Sequence, residues 1–205
     1  MENGPMVSEV SICNQALGWL GAKRIAGFSE NSTPAMLCRE NYPVLRDALL
    51  ESRMWTFASF RDVSESQTKD AWGEWYLHPI RDEYLSVFRV YRRISEHNKV
   101  RDDRWYREGE MIVSENPFIY YAGIRRMSDS GKFSPMFAQA LAARIAADLA
   151  IPLTENRQLQ ADMWSLYQAK LLEAATRDGQ QGSNEEFARG SMATSRRAGR
   201  YGVGR

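Results

Sequence analysis

The sequence predicts an α+β protein: a four-helix lobe with a small antiparallel β-sheet lobe inserted between helices two and three, plus an extended C-terminal tail. Three observations carry this. Apolar residues recur at three- and four-residue steps in four segments, two before residue 54 and two after residue 132. Between them that period vanishes and short aromatic and β-branched runs replace it. From Gly179 onward, six glycines with serine, glutamine and arginine displace any apolar pattern. The expected units are residues 7–54 with 132–178 as the helical lobe, 55–131 as the β-rich insertion, and 179–205 as an extended basic tail.

The first helix is expected from about Ser8 to Leu20, with Val10, Cys13, Leu17 and Leu20 on its buried stripe, Ser8 as N-cap and Gly21 at its exit. The second is marked by Thr33 as cap and Pro34 at the first helical position, with Ala35, Cys38, Tyr42, Leu45 and Leu49 on one face. Pro43 interrupts that face and predicts a kink or a restart, the periodicity on both sides favouring the kink. Trp55 to Phe60 reads as a short strand, followed by a polar loop over 62–70. Further strands are expected at 84–91, 105–107, 111–113 and 118–121, with Glu108-Gly109 as a hairpin turn. The third helix starts at Ser134-Pro135, carries Phe137, Leu141, Ile145 and Leu149, and is stopped by Pro152. The fourth covers about Glu155 to Arg177, buries Leu159, Met163, Tyr167, Leu171 and Ala174, and folds back antiparallel on the third because the connection is short. There is no internal repeat.

At 205 residues, 43% apolar and 26% charged, the chain can bury a substantial core in one or two domains. Its net charge of +1 lacks the basic excess of a protein held to nucleic acid by phosphate neutralisation. The balance is uneven, however: after Glu186 the tail carries +5, so the preceding residues carry −4. No apolar run is expected to reach the roughly 20 residues that span a bilayer, and Met1 to Pro5 lacks the features of a secretion signal, so a cytoplasmic site of synthesis and no membrane partner are expected. Cys13 and Cys38, far apart and without flanking ligands, suggest neither a zinc site nor a disulfide framework.

Catalytic signals are sparse. Ser130-Gly131-Lys132 lacks the earlier glycine of a phosphate loop, having Arg126 there, and has Phe133 where a magnesium-holding hydroxyl belongs, so it reads as a turn before the third helix. Cys13 and Cys38 lie on helix stripes, where thiols behave as small apolar groups. His78 and His97 are placed in loops without a serine elbow or supporting pattern. The acidic neighbours Asp82-Glu83 and Asp102-Asp103 read as solvated loops, since adjacent strand residues point to opposite faces. No catalytic, cofactor-binding or metal-binding residue is assigned.

Twenty-two arginines against five lysines are more informative. Guanidinium forms forked hydrogen bonds at a low desolvation cost and concentrates where protein meets protein or phosphate. Arg89, Arg92, Arg93 and Arg104 lie among the aromatics of the insertion, and Trp72, Trp75 and Trp105 are expected interface anchors there. Interleaved arginine and aromatic residues also suit stacking of single-stranded nucleic acid. The nearly balancing acids weigh against that, and a subunit or tail interface is the preferred expectation.

The order of segments resembles the tail tubular protein A family, the head-to-tail adaptors of short-tailed bacteriophages. The resemblance rests on Ile12-Cys13-Asn14-Gln15-Ala16-Leu17 with Leu20-Gly21, on Arg39 through Leu50 leading into Trp55-Thr56-Phe57, and on the helix from Phe133 to Ala142. It continues through Ala147 to Thr154 and Met163-Trp164-Ser165-Leu166-Tyr167 to Arg177-Asp178, covering about residues 7–180. It implies a non-enzymatic virion protein without cofactor, assembled in the host cytoplasm into a ring, commonly dodecameric, between portal protein and tail nozzle (a tail tubular B-like protein). Genome DNA would pass through the centre without sequence-specific binding. A flexible basic tail fits docking on a neighbouring protein by ordering on contact, so Arg189, Arg196, Arg197, Arg200, Tyr201 and Arg205 are the expected portal-binding residues. The competing expectations are a tail-associated hydrolase and a DNA-binding module using the arginine tail.

Overall fold

In the computed structural model, residues 7–95 and 98–181 are described. The protein is α+β, and the described residues form four helices and two antiparallel sheets. Helix α1 spans Glu9–Trp19 and opens on a capping box: the Ser11 N–H donates to Ser8 Oγ at 3.0 Å and the Ser8 N–H to Ser11 Oγ at 2.9 Å. Gly21, with φ of 67°, takes the left-handed turn after it. Asn14 then clamps the following loop, exchanging two hydrogen bonds of 2.9 and 2.8 Å with the Ile25 backbone.

Helix α2 spans Thr33–Glu51, and its N-cap is Ser32, one residue before the expected Thr33. It runs without a break past Pro43, so of the two outcomes expected there the restart, the less favoured, does not occur. Burial of Ala35, Cys38, Tyr42, Leu45 and Leu49 on one face outweighs the hydrogen bond that the proline removes.

The expected strand at Trp55 is instead a 3₁₀ turn, Thr56–Ala58, and strand β1 follows at Ser59–Glu65. The cause lies 122 residues away. Asp178 accepts the Thr56 N–H at 3.0 Å and the Thr56 hydroxyl at 2.6 Å, capping the turn from the far end of the chain. Trp55 is fully buried, donating its indole N–H to the Leu49 carbonyl at 2.9 Å.

Six more strands follow: β2 Tyr76–Pro79, β3 Tyr84–Ser95, β4 Asn98–Asp102, β5 Trp105–Glu108, β6 Met111–Ser114 and β7 Phe118–Arg125. Two of these, β2 and β4, are absent from the sequence expectation, and the single expected sheet is two: a four-stranded sheet ordered β1-β7-β3-β4 and a three-stranded sheet ordered β2-β6-β5. The β5–β6 hairpin turns through Gly109-Glu110, with Gly109 at a φ of 56°. Gly123 of β7 is required by close approach, because a Cβ there would run into the Ser86 carbonyl oxygen where β3 bulges. Phe60, Val90, Ile119 and Tyr121 of the larger sheet share a buried cluster with Ile80 and with Ile112 of the smaller one, so the two sheets pack face to face.

Helix α3, Pro135–Thr154, is the axis of the other core and is capped by Ser134 as expected. Alanines at 138, 140, 142, 143, 146 and 150 are buried along it, and their small size lets α1, α2 and α4 approach closely. By length and hydropathy α3 matches a membrane span, contrary to the sequence expectation, yet it is largely buried inside the protein. Nor does Pro152 stop it. The helix runs two residues further, to Thr154, and is closed by Glu155, whose left-handed φ of 54° breaks the period while its N–H donates to the Ile151 carbonyl.

Helix α4, Arg157–Gln181, begins with Asn156 accepting the Leu159 N–H at 3.0 Å. It returns antiparallel to α3, since the Arg144 guanidinium lies 4.4 Å from the Trp164 ring while Asp178 reaches the segment just before β1. Helical structure thus continues to Gln181, beyond the residue-178 boundary drawn from sequence.

Candidate partner-binding surface

The four-stranded sheet has one covered and one open face. Alternation assigns Phe60, Asp62, Val90, Ile119 and Tyr121 to the covered face, against the smaller sheet. On the other face the register draws a straight row across all four strands: Val63 opposite Tyr120, Tyr120 opposite Tyr91, and Tyr91 opposite Arg101. A second row places Arg61 and Arg89 on either side of Ala122. Phe118 stands beside Tyr120, with ring centres 5.1 Å apart, edge to face. An open groove of about 440 Å³ follows this surface between Arg61, Val63, Tyr91 and Tyr120, and Asp62 also contributes to its lining although its carboxylate is bonded to Tyr84 and Tyr121. At its other end Ile124 is buried in the helical core, so the helices close one side of the face and, among the described residues, leave the rest open.

The residues expected as interface anchors separate in the structure. Trp72 is 81% exposed on the turn before β2. Trp75 is half-buried, with its ring 5.8 Å from Tyr106. Trp105 packs inward against the sandwich core. Arg89 shares the open face with Tyr91, whereas Arg92 falls on the opposite face, paired with Ile119. Arg93 holds a β3 position opposite Lys99, and Arg104 forms an exposed 3.1 Å ion pair with Glu115. Arg189, Arg196, Arg197, Arg200, Tyr201 and Arg205 lie outside the described residues, as does His97.

Several acids point away from the open face. Asp62, on the covered side, accepts from the Val63 N–H at 2.9 Å, the Tyr84 hydroxyl at 2.8 Å and the Tyr121 hydroxyl at 3.3 Å, with Arg81 at 3.4 Å. Burial alone would raise its pKa, but these donors together hold it below the usual carboxylate range. Burial, with Asp62 as hydrogen-bond partner, pushes Tyr84 up to about 12. Asp102 is buried rather than solvated as expected, accepting from the Asn116 amide at 2.7 Å and the Arg104 N–H at 3.0 Å. Nothing in the local sequence separates it from its neighbour Asp103, which is exposed.

His78 is likewise not in a loop. It is fully buried in β2, between the Ser64 hydroxyl at 3.1 Å and the Asn116 carbonyl at 2.9 Å. Cys13 and Cys38 are buried free thiols on α1 and α2. A hydrogen bond between them, together with burial, keeps the proton on Cys13. Ser130-Gly131-Lys132 is a 3₁₀ turn before α3, with Asp129 accepting the Gly131 N–H at 3.0 Å. Among the described residues no three His, Cys, Asp or Glu side chains group as ligands for a metal ion.

No protein-family model matches the chain, and no curated protein matches it.

Proposed function

We propose that this chain is a structural adaptor of a short-tailed phage virion, assembling as a ring between portal and tail nozzle and acting by binding rather than catalysis. The resemblance of residues 7–180 to the tail tubular protein A family motivates the reading. The observation that carries it is the distribution of exposed large apolar side chains over unlike surfaces: Val44 on α2 is 65% exposed, Leu172 on α4 69%, and Trp72 on the sandwich 81%. A closed ring needs a heterologous interface, in which one patch of a subunit meets a different patch of the next, and an adaptor needs a further surface at each end. The helices and the basic tail are assigned to the portal, and the Trp72 turn with Trp75 and Arg104 to the tail nozzle.

Electron microscopy of the protein mixed with portal rings tests this. The expected image is a second ring docked coaxially on the portal. Deleting residues 183–205 is expected to leave the circular dichroism spectrum unchanged and to weaken docking at least about tenfold, as loss of several charge-assisted contacts would. Equal docking by the truncated protein excludes the tail from the portal contact. Isolated particles beside every portal tried reject the adaptor reading itself.

A further inference from the structure

We propose that the open face of the four-stranded sheet binds single-stranded nucleic acid, with the Tyr120 and Tyr91 rings stacking on bases and Arg61 and Arg101 meeting phosphates. This inference is independent of the adaptor reading, since neither ring formation nor portal docking enters the argument.

Two tyrosines directly opposite each other on neighbouring strands stand about 5 Å apart at Cα and present adjacent rings on one surface. Phe118 supports Tyr120 from the side. Such a platform suits unpaired bases, because every base has a π face, whereas duplex bases are already stacked on one another.

Charge decides between this ligand and a protein partner. The acids that balance the arginines in the sequence are largely removed from this face: Asp62 turns to the covered side, Asp102 is buried, and Glu115 pairs with Arg104. On the open face Arg61 is exposed and makes no ion pair among the described residues. Arg101 pairs with Asp103 at 3.2 Å, where both side chains are mostly exposed and a phosphate can compete for the guanidinium. Glu65 stands at one corner, opposite Phe118. A row of aromatics bordered by arginines on two sides fits a polyanion that also carries flat apolar groups.

The test is fluorescence anisotropy of the full chain with a labelled oligothymidine of about 15 nucleotides, within the usual range of such sites. A hairpin duplex of equal charge and a polyglutamate peptide serve as comparison probes. Binding to the single strand is expected to exceed binding to either by at least about tenfold. The double variant Tyr91→Ala/Tyr120→Ala should lose about tenfold or more, and Tyr91→Phe/Tyr120→Phe should retain binding, since stacking needs the ring and not the hydroxyl. Arg61→Gln should reduce the logarithmic salt slope by about one. Arg196→Gln/Arg197→Gln/Arg200→Gln should leave the single-strand preference intact.

Equal binding of the duplex or the peptide overturns the proposal, as does loss of the preference in the tail variant with the tyrosine variants unaffected. Should the alanine variant fail to fold, the phenylalanine and Arg61→Gln variants decide: weak binding by the first, or an unchanged salt slope in the second, rejects the face as the site. A tyrosine variant that abolishes self-association in sedimentation while oligothymidine never binds makes the face a subunit interface instead.

Discussion

His78 shows how a single side chain ties stability to pH here. The Asn116 carbonyl can only accept, so His78 Nε2 carries the proton and Nδ1 accepts from the Ser64 hydroxyl, leaving a neutral imidazole fully satisfied. Burial lowers its pKa, and the Asn116 carbonyl opposes this only in part. The unfolded chain therefore binds a proton more readily than the folded one between the folded pKa and the ordinary value of about 6.5, and stability rises with pH across that window. Acidification from pH 7 toward 5 should lower the urea midpoint, by an amount corresponding to at most about 1.4 kcal/mol per pH unit from this one group. His78→Gln keeps a donor for the carbonyl but does not titrate, so its midpoint should be flatter over the same range. Parallel profiles for the two proteins would assign the acid sensitivity to another group. Asp62 acts lower on the scale: its depressed pKa stabilises the fold above the unfolded carboxylate value, and that contribution disappears as pH falls through the folded value.

At the scale of elements, helix α3 ends through Glu155 rather than through its proline. Glu155 is the one non-glycine residue with positive φ among the described residues, and its Cβ is strained there. Glu155→Gly should relieve that strain and stabilise the protein by about 0.5–1 kcal/mol, read as a higher thermal midpoint with unchanged helix content. A lower midpoint would show that the Glu155 side chain contributes more than the strain costs. This helix also shows what a local reading reaches. Caps and periodicity are local, so Ser8, Ser134 and the buried stripes of all four helices are visible in the sequence. Whether Pro43 and Pro152 break their helices depends on how much apolar surface the neighbours bury, which a short window does not contain. The turn at Thr56 escaped for the same reason, its cap being Asp178 on α4. Strand β2 is short and carries a histidine and a proline, so it shows little alternation, although its place at a sheet edge accommodates Pro79. The open face was not legible because it depends on register. Tyr91, Tyr120, Val63 and Arg101 form a row only once three strand pairings are fixed, and the same pairings move Asp62 out of it.

For the whole molecule, the question is whether helices and sandwich unfold together. Their apolar clusters are distinct, yet Leu85 and Ile124 belong to the helical core while their strands, β3 and β7, form the centre of the larger sheet. Phe88 of β3 packs against the same core, and Arg126, just beyond β7, bonds Asp47 of α2 at 2.9 Å. Two of the strands that supply the sandwich core therefore also supply part of the helical core, and neither part can lose them without exposing the other. A single cooperative transition follows, with tryptophan fluorescence, which samples both parts, coinciding with far-ultraviolet circular dichroism during urea unfolding. Ile124 is fully buried at this junction. Ile124→Ala should cost about 2–4 kcal/mol and shift both signals to the same lower midpoint. Two separated transitions in the unsubstituted protein would show that the shared strands do not couple the parts, and a variant that shifts only one signal would locate the junction elsewhere.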